Sequence, residues 1–406
     1  MTRASTGAFR ALVATLAIQI YVSLAATAMS VLAPVVAPDF SLSPDLVGVF
    51  VSLTYAGAMS ASLFSGTLIV RFGAIRVSQL AVLLCALGVV LLPLASTSHG
   101  AVLLLVLSPL VIGAGYGPIT PASSQVLART APPSQMALIF SIKQTGVPAG
   151  AALGGVLLPT VTLAFGWRTT LVVIAAMALI VVLAAQRIRS DLDRDRQRAR
   201  QINWRELFRP LPKLFASAIL TELTIVAFFY AALQMSLTSF LVVYLTQALG
   251  WSLIAAGFAL TIATIGGVGG RIFWGFVADR YVMPRKLLGW LGILAGSVSI
   301  ATALYPPDFA PALLLALIAV FGATAIGWNG VQLAEVARHA PPDEAATITG
   351  ASGFVTFAGV VVGPTLFGLI ASATGDYRYG FAVVGIAIVV CGMLTLARLA
   401  RAKPHS

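Results

Sequence analysis

Apolar runs of roughly 20 residues or more, each long enough to cross a bilayer as a helix, follow one another along the whole chain. Short polar punctuation separates them. In the first half they lie near 8–36, 44–69, 77–97, 100–127, 135–163 and 169–187. In the second they lie near 214–245, 253–278, 287–304, 310–337, 345–372 and 379–397. The pattern predicts twelve transmembrane helices, six on each side of one strongly charged stretch from Arg187 to Lys213. That stretch holds Asp191, Asp193, Arg194, Asp195, Arg196, Arg198 and Arg200, and it reads as a solvated linker without chemistry of its own.

Composition fixes the solvent. Of 406 residues, 59% are hydrophobic and 9% charged, with a mean hydropathy of +0.98. A soluble domain carries about 25% charged residues, so these residues would need a very large core and almost no surface in water. The first apolar run is too long for a signal peptide and lacks a cleavage site. The chain is expected to be an all-α polytopic membrane protein.

A shift of 209 residues superimposes one half on the other. Gly66, Arg71 and Arg76 fall on Gly275, Arg280 and Arg285; Ala128-Arg129 falls on Ala337-Arg338; Ala131-Pro132-Pro133 falls on Ala340-Pro341-Pro342. Gly150 and Gly154 likewise fall on Gly359 and Gly363. In an apolar chain this repeat predicts two like bundles, 1–190 and 213–406, joined by a linker over 191–212.

The net charge of +12 is distributed by topology. Arg71, Arg76, Arg129, the linker, Arg280, Arg285, Lys286 and Arg338 occupy one set of loops. Arg3, Arg10, Arg398, Arg401 and Lys403 at the termini join them. The opposite loops, such as Ser96-Thr97-Ser98-His99 and Pro306-Pro307-Asp308, are nearly neutral. The positive-inside rule then places both termini and the linker in the cytoplasm of a bacterial-type inner membrane, and accounts for the charge without nucleic acid.

These features resemble the major facilitator superfamily over nearly the whole chain. That family joins two six-helix bundles about an axis along the membrane normal. Its loop motif, Gly-x-x-x-Asp-Arg-x-Gly-x-Arg, follows the second span and recurs after the eighth. Here the later copy reads Gly275-Phe-Val-Ala-Asp279-Arg280 with Arg285 beyond, and the earlier one Gly66-Thr-Leu-Ile-Val70-Arg71-Phe-Gly73 with Arg76 beyond. Val70 stands where the family usually has aspartate. The resemblance implies that Asp279 steadies one conformer, pairing with Arg280 or capping a neighbouring helix. Val70 has no such capacity, so an uneven lock, sensitive to Asp279→Asn, is expected. The resemblance also implies a secondary transporter that works by alternating access as a monomer, without a cofactor and with a proton as coupling ion.

Ionisable residues inside spans are costly and normally functional. Lys143 lies about 13 Å into the fifth span, and Arg271 about 12 Å before the end of the eighth, at helical rise. Their repeat equivalents are Ser352 and Ser62, so neither cation belongs to the duplicated scaffold. In the family the fifth and eighth spans face each other, which implies an anion, such as a carboxylate, held by both. An arginine at the Arg271 spacing resembles the substrate arginine of oxalate and monocarboxylate transporters. Competing readings are a structural Arg271 bonded to backbone carbonyls and a Lys143 snorkelling to the interface. Glu222, early in the seventh span, is either a protonation site for coupling or the partner of a basic loop.

Milder polar groups form helical stripes: Gln19, Ser23 and Thr27 on the first span, and Tyr230, Gln234 and Thr238 on the seventh. Tyr116, Thr120 and Ser123 stand on the fourth span, with Trp328, Asn329 and Gln332 on the tenth; Gln144 follows Lys143. Together with Lys143 and Arg271, residues Gln19, Gln144, Tyr116, Tyr230, Gln234 and Asn329 are the candidate substrate contacts. Glu222, Asp279, Arg280, Arg71, Arg76, Gly66 and Gly275 are the candidate coupling and gating residues.

Gly146, Gly150, Gly154 and Gly155 form a small-residue face on the fifth span, interrupted by Pro148 and repeated by Gly359, Gly363 and Pro364. The face resembles the exporter pattern Gly-x-x-x-Gly-Pro-x-x-Gly-Gly except that Ala151 replaces the proline. A proton-driven exporter of drugs or amphipathic metabolites is therefore the alternative. Exporters commonly carry an acid in the first or fourth span, and neither span has one here. A transceptor that signals without turnover is a third reading, weakened by the short linker. Enzyme chemistry has no support: His99, His339 and His405 fall in loops or the tail, giving no metal site or triad, and Cys85 and Cys391 sit singly in apolar spans. A nucleotide-binding glycine loop is missing too.

Overall fold

An apolar segment in lipid satisfies its backbone polar groups most simply by closing them within a helix, and the computed structural model follows that rule. It describes residues 3–41, 47–95, 100–197, 209–306 and 310–401, among which there is no strand. His99, His405, Arg198, Arg200, Lys403 and Asp308 lie outside the described residues. The first half contains α1 (Arg3–Asp39), α2 (Val47–Phe72), α3 (Ala74–Leu94), α4 (Gly100–Tyr116), α5 (Ile119–Thr130), α6 (Met136–Gln144) and α7 (Gly146–Leu192). After the short α8 (Pro210–Ala216) come α9 (Ala218–Gln247), α10 (Leu253–Arg280), α11 (Pro284–Ala303), α12 (Pro311–Ala325), α13 (Asn329–His339), α14 (Ala345–Thr374) and α15 (Tyr377–Arg401).

Eleven stretches of the described residues are long and apolar enough to cross a membrane. One of them, Pro133–Leu192, has 60 residues. Within it α7 turns at Gly166, whose φ of 79° is not helical. The expected fifth and sixth spans meet at that turn, so the described residues hold the twelve expected spans.

Local chemistry sets several helix starts. Ser217 and Ser252 accept hydrogen bonds from the N–H groups of Leu220 (3.4 Å) and Ala255 (3.2 Å), capping α9 and α10. Pro284 and Pro311 open α11 and α12, where a missing N–H costs nothing. The fourth span is broken between α4 and α5, and the tenth between α12 and α13. The 209-residue offset reaches these limits: α4 ends at Tyr116 and α12 at Ala325, while α6 begins at Met136 and α14 at Ala345.

Internal contacts gather the chain into two compact units. One holds residues 1–132, 143–216 and 340–354; the other holds 133–142, 217–339 and 355–406. In the first, α1 packs along α7, α3 along α4 and α7, and α2 along α4. Its buried large side chains include Leu24, Leu32, Ile75 and Leu92. In the second, α11 packs along α15 and α10 along α12. That core is aromatic, with Phe367 stacked on Phe240 at 4.3 Å and edge-on to Phe381 at 4.9 Å.

Candidate functional site

In the first unit, polar chemistry gathers where α6 gives way to α7. Lys143 is 1% exposed, and its amine donates to Gln19 Oε1 at 2.7 Å and Gln144 Oε1 at 3.0 Å. Both glutamines are buried. The amine is therefore held by α1 and by its own helix, in the interior of the first unit. The α1 stripe divides in function. Gln19 reaches Lys143, Ser23 donates to the Val147 carbonyl at 2.6 Å, and Thr27 bonds back to the carbonyl of Ser23. Tyr116 is half-buried at the break in the fourth span.

In the second unit the centre is the break in the tenth span. The chain leaves α12 at Ala325, exposing carbonyls that the helix would otherwise pair. Arg271, 3% exposed, supplies donors there: its Nε binds the Ile326 carbonyl at 3.1 Å and its Nη2 binds Asn329 Oδ1 at 3.2 Å. The structural reading of Arg271 accounts for the first bond. Trp328 is the hub of the break. Its Nε1 donates to Gln234 Oε1 at 3.2 Å, and its ring stacks on Tyr230 at 5.1 Å. The Tyr230 hydroxyl turns away to the Leu288 carbonyl at 2.8 Å, so Tyr230 contributes a flat support to Trp328. Gln332 reaches the Leu223 carbonyl at 3.3 Å.

The two units thus hold separate clusters: Lys143, Gln19 and Gln144 in one; Arg271, Asn329, Trp328, Gln234 and Tyr230 in the other. Trp328 was only one member of a polar stripe in the sequence. The signal for its central place is its position, three residues beyond a helix limit set by the repeat.

The gating candidates divide likewise. Asp279 accepts from the N–H groups of Ala137 at 3.0 Å and Leu138 at 2.7 Å, capping the first turn of α6. Of the two partners expected for it, the helix N-terminus is the one it bonds, while Arg280 is exposed. Gly275 makes the approach feasible, because a Cβ there would lie 2.5 Å from Ser141 Oγ. Glu222, 5% exposed, receives three hydrogen bonds from the Arg285 fork, from Nη2 at 2.9 and 3.0 Å and from Nε at 3.3 Å. This geometry matches the loop-partner reading of Glu222. Arg76 Nη1 donates to Gln79 at 3.3 Å, and the Arg71 guanidinium lies 5.4 Å from the Phe72 ring centre. Glu335 is buried beside Arg338 and His339 at the end of α13. Among the described residues no group of three His, Cys, Asp or Glu side chains is arranged to hold a metal.

The chain is 25% identical to the hexuronate transporter of Bacillus subtilis over 392 residues, covering 92% of this chain and 90% of that one. It is 24% identical to the probable sulfoacetate transporter of Cupriavidus necator, covering 91% and 88%. The fosmidomycin resistance protein of Escherichia coli is 30% identical over 277 residues, covering 60% and 65%. A bacterial homologue of the iron transporter ferroportin superposes with a TM-score of 0.78 at 14% identity, covering 97% and 100%. The family model of the Major Facilitator Superfamily matches residues 15–364. Twelve spans, two repeated loop motifs and a match across most of its length make this chain a member of the Major Facilitator Superfamily, a membrane transporter and not an enzyme.

Proposed function

We propose that this transporter moves a small organic anion of the carboxylate class by alternating access, coupled to protons, as a monomer with both termini in the cytoplasm. The observation that carries the reading is Lys143, a cation buried at depth in a span. Burial of an ionised group in lipid costs several kcal/mol, and the repeat places serine at the equivalent position. A cost imposed in one half only is expected of a ligand-binding group. Arg271 adds a second cation in the other half, with a planar fork suited to carboxylate. Hexuronate and sulfoacetate, the solutes for which two of its relatives are named, are anions, which supports the same class. In this role Gln19 and Gln144 position the Lys143 amine, and Trp328 and Asn329 shape the surroundings of Arg271.

The test is uptake into proteoliposomes from a panel of small carboxylates, with Lys143→Ala and Arg271→Ala alongside. Loss of a carboxylate's uptake by at least tenfold in Lys143→Ala is expected, with partial recovery in Lys143→Arg. Carboxylate uptake equal to wild type in both alanine variants would overturn the anion reading. The similarity to the fosmidomycin resistance protein and the glycine face of the fifth span favour export of amphipathic compounds as the second reading. Thermal stabilisation by such compounds, with none by carboxylates, would select it.

A further inference from the structure

In the second unit, Asp279 caps the first turn of α6 through Ala137 and Leu138. The 209-residue shift carries Ala137 to Ala346, in the first turn of α14, and Asp279 to Val70, which has no acceptor in its side chain. In the first unit the Ala346 N–H is nevertheless bonded. Its acceptor is Gln125 Oε1, at 3.1 Å, from α5. The other end of that amide, Nε2, donates to Asp195 Oδ2 at 3.0 Å, and Asp195 also pairs with Arg129 at 2.5 Å. The carboxylate sets the direction of the amide. A flipped Gln125 would turn its NH2 toward the Ala346 N–H and its oxygen toward Asp195, replacing two attractions with two repulsions.

Asp195 is itself held in place. Two residues earlier, Asp193 is 2% exposed and accepts from the N–H groups of Ile75 at 2.8 Å and Arg76 at 3.1 Å. It thereby caps α3, whose own N-cap residue, Gly73, has no side chain to offer and a φ of 95°. Two residues later, the Gln197 N–H donates to the Val70 carbonyl at 2.8 Å. Residues 193–197 therefore lie over the ends of α2, α3 and α5. Farther along, Lys213 binds the Glu344 carboxylate at 2.7 and 2.9 Å, immediately before α14. Gly66 allows the close packing beneath, since a Cβ there would lie 2.5 Å from Thr347 Cα.

We infer that residues 193–197 form a conformational latch: Asp195, acting through Gln125, replaces the acid missing at Val70 and holds the first turn of α14 on α2 and α5. Asp193 and Gln197 fix the strap that carries Asp195, and the Lys213–Glu344 pair guards the same helix start. The lock in this protein is therefore not left weak on one side. One half draws its acid from the loop motif, and the other draws it from the segment between the bundles. Release of α14 from α2 and α5 in alternating access requires Asp195 or Gln125 to let go. This inference rests on the alternating-access reading but on no substrate.

Hydrogen–deuterium exchange on the full-length protein in nanodiscs tests the latch without transport. Asp195→Asn should speed exchange of the peptide spanning Ala345–Gly350 by at least fivefold. The peptide spanning Met136–Ser141, capped by Asp279, should keep its wild-type rate. Adding Val70→Asp to Asp195→Asn should restore protection, because the acid then returns at the position symmetric with Asp279. Arg194→Ala, which removes an exposed pair with Asp191, serves as the control and should leave both peptides unchanged. Unchanged exchange at Ala345–Gly350 in Asp195→Asn, an equal rise in both peptides, or failure of Val70→Asp to restore protection would each overturn the assignment.

Discussion

At the residue scale, Lys143, Glu222 and Asp193 are ionisable side chains exposed by 5% or less, and each is held by named partners. Lys143 was visible as a cation inside an apolar run, but its holder, Gln19, lies 124 residues away and no local spacing links them. Glu222 was equally visible, and its two readings predict different outcomes. As the buried partner of Arg285, Glu222→Gln should destabilise the protein by about 3 kcal/mol, the scale for stranding one member of a buried pair. A thermal melt reads this, and Arg285→Met in the same chain should recover part of the loss. An unchanged melt with abolished proton-driven uptake would make Glu222 the coupling site. Asp193 adds a pH dependence. Burial pushes its carboxyl above the usual carboxylate range, against the pull of the Ile75 and Arg76 amides and the Arg189 charge. A folded state that binds the proton more tightly gains stability as pH falls through that range and loses it as pH rises. Asp193→Asn, neutral and still an acceptor, should flatten this dependence in melts from pH 4 to 7, at a cost of less than about 1 kcal/mol.

At the scale of elements, the lengths of the spans were legible and their interruptions were not. Hydropathy averages over a window, so the breaks in the fourth and tenth spans leave almost no trace in it. The repeat does carry them, since α4 and α12 end at equivalent residues. The break in the tenth span gives Arg271 its structural duty beside any substrate role. Arg271→Ala should leave the Ile326 carbonyl without this donor and lower stability by about 1–3 kcal/mol. Arg271→Lys should recover less than half of that loss, because a lysine amine lacks the planar fork that binds Ile326 and Asn329 together. Stability equal to wild type in Arg271→Ala would show that the carbonyl finds other partners. The ends of the helices carry a comparable lesson. Asp279 was readable as a lock because the motif is local, whereas Gln125 belongs to no motif.

At the scale of the whole molecule, membership of the Major Facilitator Superfamily follows from features that are all sequence-wide: apolar runs, a single repeat offset and two loop motifs. The orientation proposed from the basic loops has a direct check. A fluorescent protein fused after Ser406 should fold and fluoresce inside intact cells, and a periplasmic phosphatase at the same place should be inactive. The opposite pair of results would invert the topology. The linker shows how far the chain departs from a symmetric machine. As a run of charges it read as solvated spacer, yet Asp193 is buried and Asp195 is bonded on two sides.

The sequence by itself determined the solvent, the number of spans, the duplication and the presence of two cations, Lys143 and Arg271, inside apolar runs. Each of these is set by residues near one another in the chain, or by a fixed offset between two copies. Only the tertiary structure decided what those residues touch: Gln19 on Lys143, Trp328 between Gln234 and Tyr230, and Asp195 behind Gln125. Those pairings join segments with no common spacing, and hydrogen bonds act over about 3 Å of space irrespective of separation along the chain. Val70 shows the division most plainly. The chain records that an acid is missing there, and the fold supplies another from the linker.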